Sequence, residues 1–564
     1  VLKTETADLW WKSAVIYCLD IETFFDANGD GVGDMTGLAQ RIDYLAELGI
    51  TCLWLMPFYP TANRDDGYDI VDYYGVDPRL GTHGDLVELV RTAKDRGLRV
   101  IVDLVTNHTS NQHPWFKAAR SSKDSPYRDY YVWRDEPPED TSDEVVFPDA
   151  ETSLWSYDEK AGQYYLHNFY AEQPDLNITS PAVQGEIAKI IGFWLELGID
   201  GFRVDAVPYM IETRGVSDEW AKEFGDPHAY LKQLKAFMGR RRGDAIMLGE
   251  VNVPYETMFE FFGGPDGDEL TMMFDFELMQ RLYLAFARED TGPIIETIQR
   301  RPQLARHSQF ANFMRNHDEL TLDKLSDEER QEVFDAFGPE EEMQLFGRGL
   351  RRRLPPMVAG DPRRLRMIYS LLFALPGTPV LFYGEEIGMG ENLDVEGRLA
   401  VRTPMQWTDA KNGGFSSAAP SKLPRPLTEG AFGPEHVNVA AQRQDPDSFL
   451  NFMTLLARRY RECPEVGMGN FEILEHDAKE VLVHRSTWDP FGGGRSSSVL
   501  VHNLSPRATS IKVHLEDVDE GLEVADLVSG ERHTLGKRGL LELPVDGYGY
   551  HWLRILYADD SRLV

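Results

Sequence analysis

Cysteine is scarce. The chain of 564 residues carries three, Cys18, Cys52 and Cys463, in no paired spacing. That excludes a disulfide framework and a cysteine zinc site, and suits a reducing compartment. Positive charge is the second deficit: 58 Lys and Arg stand against 93 Asp and Glu, a formal charge of −35. Such a surface repels phosphate backbones and anionic headgroups, so nucleic acid and membrane are not expected as partners, whereas a neutral or cationic ligand is. Most of the acidity reads as an ordinary solvated surface. No apolar run reaches the length of a membrane span, and residues 1–11 lack the basic stretch and apolar core of a leader. A chain whose leader had been removed would read the same, and the cytoplasm is the expected location.

What is present is the material of a large core, with 42% hydrophobic and 11% aromatic residues in a chain too long for one ordinary domain. Short apolar β-branched runs alternate with longer amphipathic stretches, the pattern of parallel strands joined by helical crossovers. Eight runs qualify, at 14–19, 51–56, 99–104, 201–204, 245–249, 271–274, 310–314 and 379–383, and eight predict a closed (β/α)8 TIM barrel, formed by 1–108 and 175–465. The stretch 109–174, rich in Ser, Asp, Pro, Tyr and Trp, is too long for a crossover and reads as an inserted subdomain. Residues 325–364 are charged and helix-prone, a solvated helical insertion or a lid. Beyond 465 short alternating runs at 481–484, 498–502, 510–514 and 548–553 predict a C-terminal antiparallel β domain, a sandwich over 466–564, with 492–498 as a flexible hairpin loop. That domain either caps the barrel or supports a homodimer.

Active sites of such barrels form at the carboxyl ends of the strands. There the third run leads through Asp103 to Asn107 and His108, the fourth to Arg203 and Asp205, the fifth to Glu250, and the seventh to Asn316, His317, Asp318 and Glu319. Two carboxyl groups across a glycosidic bond are the minimal apparatus for its cleavage or transfer, one attacking the anomeric carbon and one protonating the leaving oxygen. Asp205 and Glu250 can fill these roles. Residues two apart on a strand share a face, so Arg203 can hold Asp205 ionised, while neighbouring carboxylates raise the pKa of Glu250 as an acid requires. A single carboxylate is more often part of a structural salt bridge. Three on adjacent strand ends point to chemistry.

Asp103-Leu-Val-Thr-Asn-His108, Gly201-Phe-Arg-Val-Asp205-Ala206, Gly249-Glu250-Val-Asn252 and Arg315-Asn-His-Asp318 follow one another at barrel strand ends. In that order they resemble the α-amylase superfamily of glycoside hydrolases and transglycosylases (glycoside hydrolase family 13) over nearly the whole chain. The resemblance implies a retaining enzyme with nucleophile Asp205, acid/base Glu250 and transition-state stabiliser Asp318, with His108, Arg203 and His317 binding the same sugar. Asp65-Asp66-Gly67-Tyr68 and Arg402-Thr-Pro-Met-Gln-Trp407 are similar to segments of the exo-acting α-glucosidase branch. There Asp65 would bind the terminal glucose, Tyr68 would stack on it and Arg402 would complete a pocket for short substrates. Ala206 after the nucleophile accompanies α-1,4 or α-1,1 preference in that branch.

Further segments, Ser125-Pro-Tyr-Arg-Asp-Tyr-Tyr-Val-Trp133, Gln173-Pro-Asp-Leu-Asn177, Asn316-His-Asp-Glu-Leu320 and Tyr383-Gly-Glu-Glu-Ile-Gly-Met-Gly390, look like those of the trehalose synthases. That resemblance implies isomerisation of maltose and trehalose, with Gln173 binding the sugar and Glu319 and Arg398 holding the departing glucose. Two stretches depart from it: 213–220 and beyond, and Val251-Asn-Val-Pro254 after the acid/base. Both are expected at the pocket mouth, where a change in water access would convert isomerase to hydrolase or transglycosylase. A silent sugar-binding relative would have lost a catalytic carboxylate, and all three are present.

No organic cofactor is expected. Asp26, Asn28, Asp30, the Val32 carbonyl and Asp34 alternate around Gly31 at the sixth position, the spacing of a calcium loop, although Gly37 stands at the twelfth where a bidentate Glu belongs. The alternative is a metal-free Asp/Gly turn. The α-glucosidase branch commonly binds structural calcium in this loop. Resemblance to trehalose synthases implies a second calcium or magnesium site on Asn107, Asp175, the carbonyls of Tyr209 and Met210, and Glu212.

Overall fold

Eight short apolar segments pair in parallel and close on themselves: Ile16–Leu19, Cys52–Leu55, Arg99–Leu104, Gly201–Val204, Ile246–Gly249, Met272–Phe274, Gln309–Phe313 and Thr378–Phe382. Each strand neighbours the next in sequence, and the last returns to the first through Ile16 opposite Val380. In the computed structural model, which describes residues 9–136, 140–489 and 495–557, these are the eight expected strands with ends moved by one or two residues. The strands are buried on both faces, which is why they read as continuous apolar runs rather than alternating ones.

The crossovers carry their own start signals. Thr82 caps His83–Asp95 through a reciprocal box with Asp85, and Pro181 opens Pro181–Glu196 at the turn where a missing N–H is harmless. At Gly201 the fourth strand enters with φ +157, and a Cβ there would lie 2.4 Å from the Ile246 carbonyl oxygen. Only glycine lets this strand approach its neighbour so closely, and that approach sets the register of Arg203 against Asp103 and Leu248.

Between the third and fourth strands a three-stranded sheet, in the order Trp133–Arg134, Gln163–Leu166, Trp155–Asp158, folds over Val132, Leu154, Trp155 and Leu166. It is tied to the barrel by bridges from His108 to Asp175 and Tyr131 to Leu176. Residues 325–364 are only partly helical. Asp327–Phe337 is a helix with a Ser326 capping box, but Gln344–Leu345 and Gly349–Leu350 then form a hairpin that pairs with Leu320–Thr321.

The C-terminal strands build a six-stranded antiparallel sheet and a two-stranded one, Thr509–His514 with Leu540–Val545. Val483, Val501, Ile511, Val513, Leu541 and Leu543 meet in one core between them. Trp552 anchors this unit, donating its indole N–H to Ser370 Oγ at 2.9 Å on a barrel helix. Of the expected loop 492–498, residues 492–494 lie outside the described residues, and Ser496 already belongs to the strand Ser496–Asn503. No described helix is long and apolar enough to cross a membrane.

Candidate active site

One guanidinium organises the floor of the barrel mouth. Arg203, 1% exposed, donates through Nη1 to Asp103 Oδ1 at 2.6 Å and to Asp205, while Nη2 pairs with Glu250 Oε2 at 2.9 Å. Asp103 is held from its other side by Trp54 Nε1 at 2.7 Å. Directly after Asp205 the chain turns through Ala206 in the left-handed region, φ +47. That conformation carries about 1–3 kcal/mol of strain in a non-glycine residue, and it aims the Ala206 N–H at Glu250 Oε2, 3.0 Å away.

Burial dominates the electrostatics here. It pushes Asp205 up to about 6, with Arg203 opposing and Asp103 and Asp318 adding. Arg203 therefore limits the rise rather than holding Asp205 in the ordinary range. Glu250 is lifted to about 7, by burial first and by the charges of Asp205 and Asp318 after it, against Arg203. Neighbouring carboxylates are thus the lesser cause. Asp318 goes the other way: against its burial, Arg398, His317 and Arg402 hold it well below the usual carboxylate range. Arg398 Nη1 and Arg402 Nη2 both lie 3.0 Å from its Oδ1.

The remaining polar groups form a wall. Asp65, raised to about 6 by burial, accepts from Gln173 Nε2 at 2.9 Å. Tyr68 stacks on His317 at 5.4 Å with its hydroxyl 2.8 Å from Nε2. His108, neutral because burial lowers it to about 4, lies 3.0 Å through Nε2 from the Tyr68 carbonyl. Arg402 donates to the His317 carbonyl at 2.8 Å and to Asp66 Oδ2 at 2.7 Å. Asp66 is itself left-handed, φ +49.

These groups enclose two adjoining chambers. The inner one, ≈ 60 Å³, is walled by Asp65, Tyr68, His108, Asp205, Phe147 and Phe169. The outer one, ≈ 400 Å³, is walled by Glu319, Tyr209, Asn252, Val253, Asp323 and Arg348 among others. Glu250, Asp318, Phe169 and Arg398 face both, so a bond straddling the chambers would lie beside the acid. The insertion roofs the outer chamber. Arg348 donates to the Val146 carbonyl at 2.7 Å, and Phe346 packs on Phe147 at 5.3 Å, both rings beneath Arg398. The insertion is therefore a lid wall rather than a solvated excursion.

The catalytic-domain profile of the alpha-amylase family, "Alpha amylase, catalytic domain", matches residues 19–335 and 352–466. The chain is 42% identical over 550 residues to the trehalose synthase/amylase TreS of Mycobacterium tuberculosis strain H37Rv, covering 97% of this chain and 90% of that protein. It is 38% identical to the trehalose synthase of Pimelobacter sp. strain R48, covering 98% and 97%. Among solved structures, a trehalulose synthase, MutB, superposes with TM-score 0.76 at 27% identity over 97% of this chain and 100% of that one. The chain belongs to the alpha-amylase family. It is an enzyme of the glycoside hydrolase and transferase class.

Within this alpha-amylase fold the two candidate metal sites differ. In the first loop the oxygens turn on the loop's own backbone: Asp26 accepts from Gly29 and Gly31, Asn28 from Asp30, Asp30 from Val32, and Asp34 from Ala27 and Gly37. Among the described residues the one acidic trio with converging oxygens is Asp20, Glu22 and Asp66, and there the positive charge is the Arg425 guanidinium. The second cluster is built around a buried carboxylate. Asp175 is buried and accepts from Asn107 and Asn168, and burial lifts it to about 8, with the nearby Glu212 charge adding. Asn107, Asp175 and Glu212 are hard oxygen donors of the kind a structural cation needs, although Glu212 also pairs with Arg214 at 2.8 Å.

Several residues of the alpha-amylase site escaped the sequence reading. Phe147 and Phe169 come from the inserted sheet region, Arg348 and Phe346 from the lid, and Asp66 partners an arginine 336 positions away. Tyr209, expected only as a metal carbonyl, walls the outer chamber. Of the two departing stretches, Asn252 and Val253 do line that chamber, but Trp220 does not: it walls another cavity.

Proposed function

We propose that the enzyme is a retaining α-glucoside-processing isomerase that interconverts maltose and trehalose. The observation that carries this reading is the pair of adjoining chambers with Glu250, Asp318 and Arg398 at their junction, supported by the trehalose synthases at 38–42% identity. Asp205 attacks the anomeric carbon of the glucose in the inner chamber while Glu250 gives its proton to the departing O4. The developing positive charge is stabilised by ionised Asp318. The released glucose stays in the outer chamber against Glu319 and Arg398, turns to present its O1 hydroxyl, loses that proton to Glu250 and displaces Asp205. Water in that place gives hydrolysis instead.

A structural cation on Asn107, Asp175 and Glu212, with the Tyr209 and Met210 carbonyls, would hold the inserted sheet to the barrel and take no part in bond making. The charge of −35 argues for neutral sugars rather than nucleic acid or membrane as partners. The cytoplasm, suggested by three buried free cysteines, and a homodimer through the C-terminal domain belong to the same reading.

Incubation with maltose should yield trehalose as the main product by chromatography; glucose alone or longer sugars would refute isomerisation. Arg348→Ala should then raise the glucose share several-fold, because the charge-assisted bond that closes the roof, about 1.5–3 kcal/mol, is gone and water enters. An unchanged product ratio would show that the lid does not exclude water.

The pH profile follows from the two carboxyl groups. Asp205 acts ionised and is lifted to about 6, so kcat/KM falls as pH drops through about 6. Glu250 acts protonated and is lifted to about 7, so activity falls as pH rises through about 7. A narrow bell between these values is expected in kcat/KM for maltose. A plateau extending well above neutrality would contradict the acid assignment.

A further inference from the structure

The stretch after Glu212 leaves the catalytic chambers and builds something else. Helix Asp218–Phe224 packs beside Pro227–Arg241, and a cavity of ≈ 480 Å³ opens between them and the start of Pro181–Glu196. None of its lining residues belongs to either catalytic chamber. The walls combine aromatic faces, Trp220, Phe224 and Tyr230, with hydrogen-bonding side chains, Gln184, Glu223 and Gln233.

We propose that this cavity is a second, non-catalytic site for a glucosyl unit of the enzyme's own short α-glucosides; the choice of sugar rests on the proposed function. Its size lies in the range of small-molecule sites, which are lined by apolar rings and a few polar groups. A sugar ring presents C–H faces to aromatic side chains and hydroxyls to amides and carboxylates, the two kinds of group the walls hold. Neither Lys nor Arg lines it, which with the acidic surface excludes an anion. Trp220 and Phe224 are half-buried, leaving ring surface to the cavity. Tyr230 is 4% exposed and its hydroxyl has no hydrogen-bond partner among the described residues, a state that buried polar groups rarely keep. Gln184 is fixed by donating to the Ile178 carbonyl at 3.0 Å, which leaves its oxygen to accept.

The test is calorimetric titration of maltose into full-length Asp205→Asn, which binds without turnover, with and without Trp220→Ala. Two sites falling to one on Trp220→Ala is expected. Trp220→Ala in the otherwise unaltered enzyme should keep kcat/KM for maltose within about twofold, which shows that the variant folds. One site in both proteins overturns the second site and leaves the proposed function standing. No site in either overturns both. Displacement of the second maltose by tetramethylammonium, the cation that an aromatic cage with a carboxylate would take, overturns the sugar assignment.

Discussion

Glu250→Gln is expected to lower kcat on maltose by about 10²–10⁴-fold, the range for losing a positioned acid or base; Asp205→Asn, which removes the nucleophile, should lower it by at least as much, with circular dichroism unchanged in both. The two variants should differ with an activated donor. α-Glucosyl fluoride needs no proton on its leaving group, so Glu250→Gln should recover formation of the glucosyl-enzyme on this substrate. Asp205→Asn should not, because a neutral amide replaces the carboxylate that attacks. Reversed behaviour would exchange the two roles. Near-normal activity in either variant would remove that residue from the mechanism. Both substitutions leave the Arg203 guanidinium with two of its three carboxylates, so the floor keeps most of its charge balance.

The barrel was legible because its strands are buried on both faces and their runs are long enough to count. The helices carry caps such as Thr82 and N-terminal prolines such as Pro181, which the strand pattern alone does not use. The floor of the site was legible for a related reason: Asp103, Arg203, Asp205 and Glu250 sit at strand ends, where sequence position translates directly into place. The structure brings the three carboxyl groups around the Arg203 guanidinium. What sequence could not show was the balance of burial against pairing, which sets Asp205 at about 6 and not lower.

A lid was one of two readings of 325–364, but its hairpin was not legible, and the turn at its tip shows why. From Leu345 to Arg348 the chain reverses with both central residues, Phe346 and Gly347, at positive φ. Such turns are recognised by Asn-Gly or Asp-Gly, and a bulky aromatic at the first position gives no such signal. The reward for the strained residue is tertiary: the Phe346 ring reaches Phe147 and Arg398 over the outer chamber. The charge-rich helix before it dominates the local pattern, so the segment reads as helical. The acidic loop at 26–34 has two uses for one set of side chains. Its spacing matches a calcium loop, yet the same Asp and Asn side chains close turns on their own backbone, a use that spacing cannot tell from metal binding.

Arg203→Leu should be the most damaging single substitution in the barrel. The side chain is buried and bridges Asp103, Asp205 and Glu250. Leucine leaves three desolvated carboxyl groups without their cation, and breaking a buried pair in this way costs about 3–5 kcal/mol. The loss depends on pH with a definite sign. In the intact enzyme Asp103 and Asp205 are already lifted to about 6 and Glu250 to about 7. A carboxyl group raised in the folded state loses stability as pH climbs from its unfolded value to its folded one. Without Arg203 all three folded values rise further, so the variant goes on losing stability above neutrality after the intact enzyme has levelled off. The gap in Tm between the two proteins should therefore be wider at pH 8 than at pH 5. A gap independent of pH would mean that Arg203 acts through packing alone. Activity follows the same logic: with Asp205 pushed up, the acid limb of the residual kcat/KM profile should move to higher pH. Arg203→Lys, which keeps the charge but cannot reach three carboxylates from one planar fork, should recover part of the stability and less of the activity.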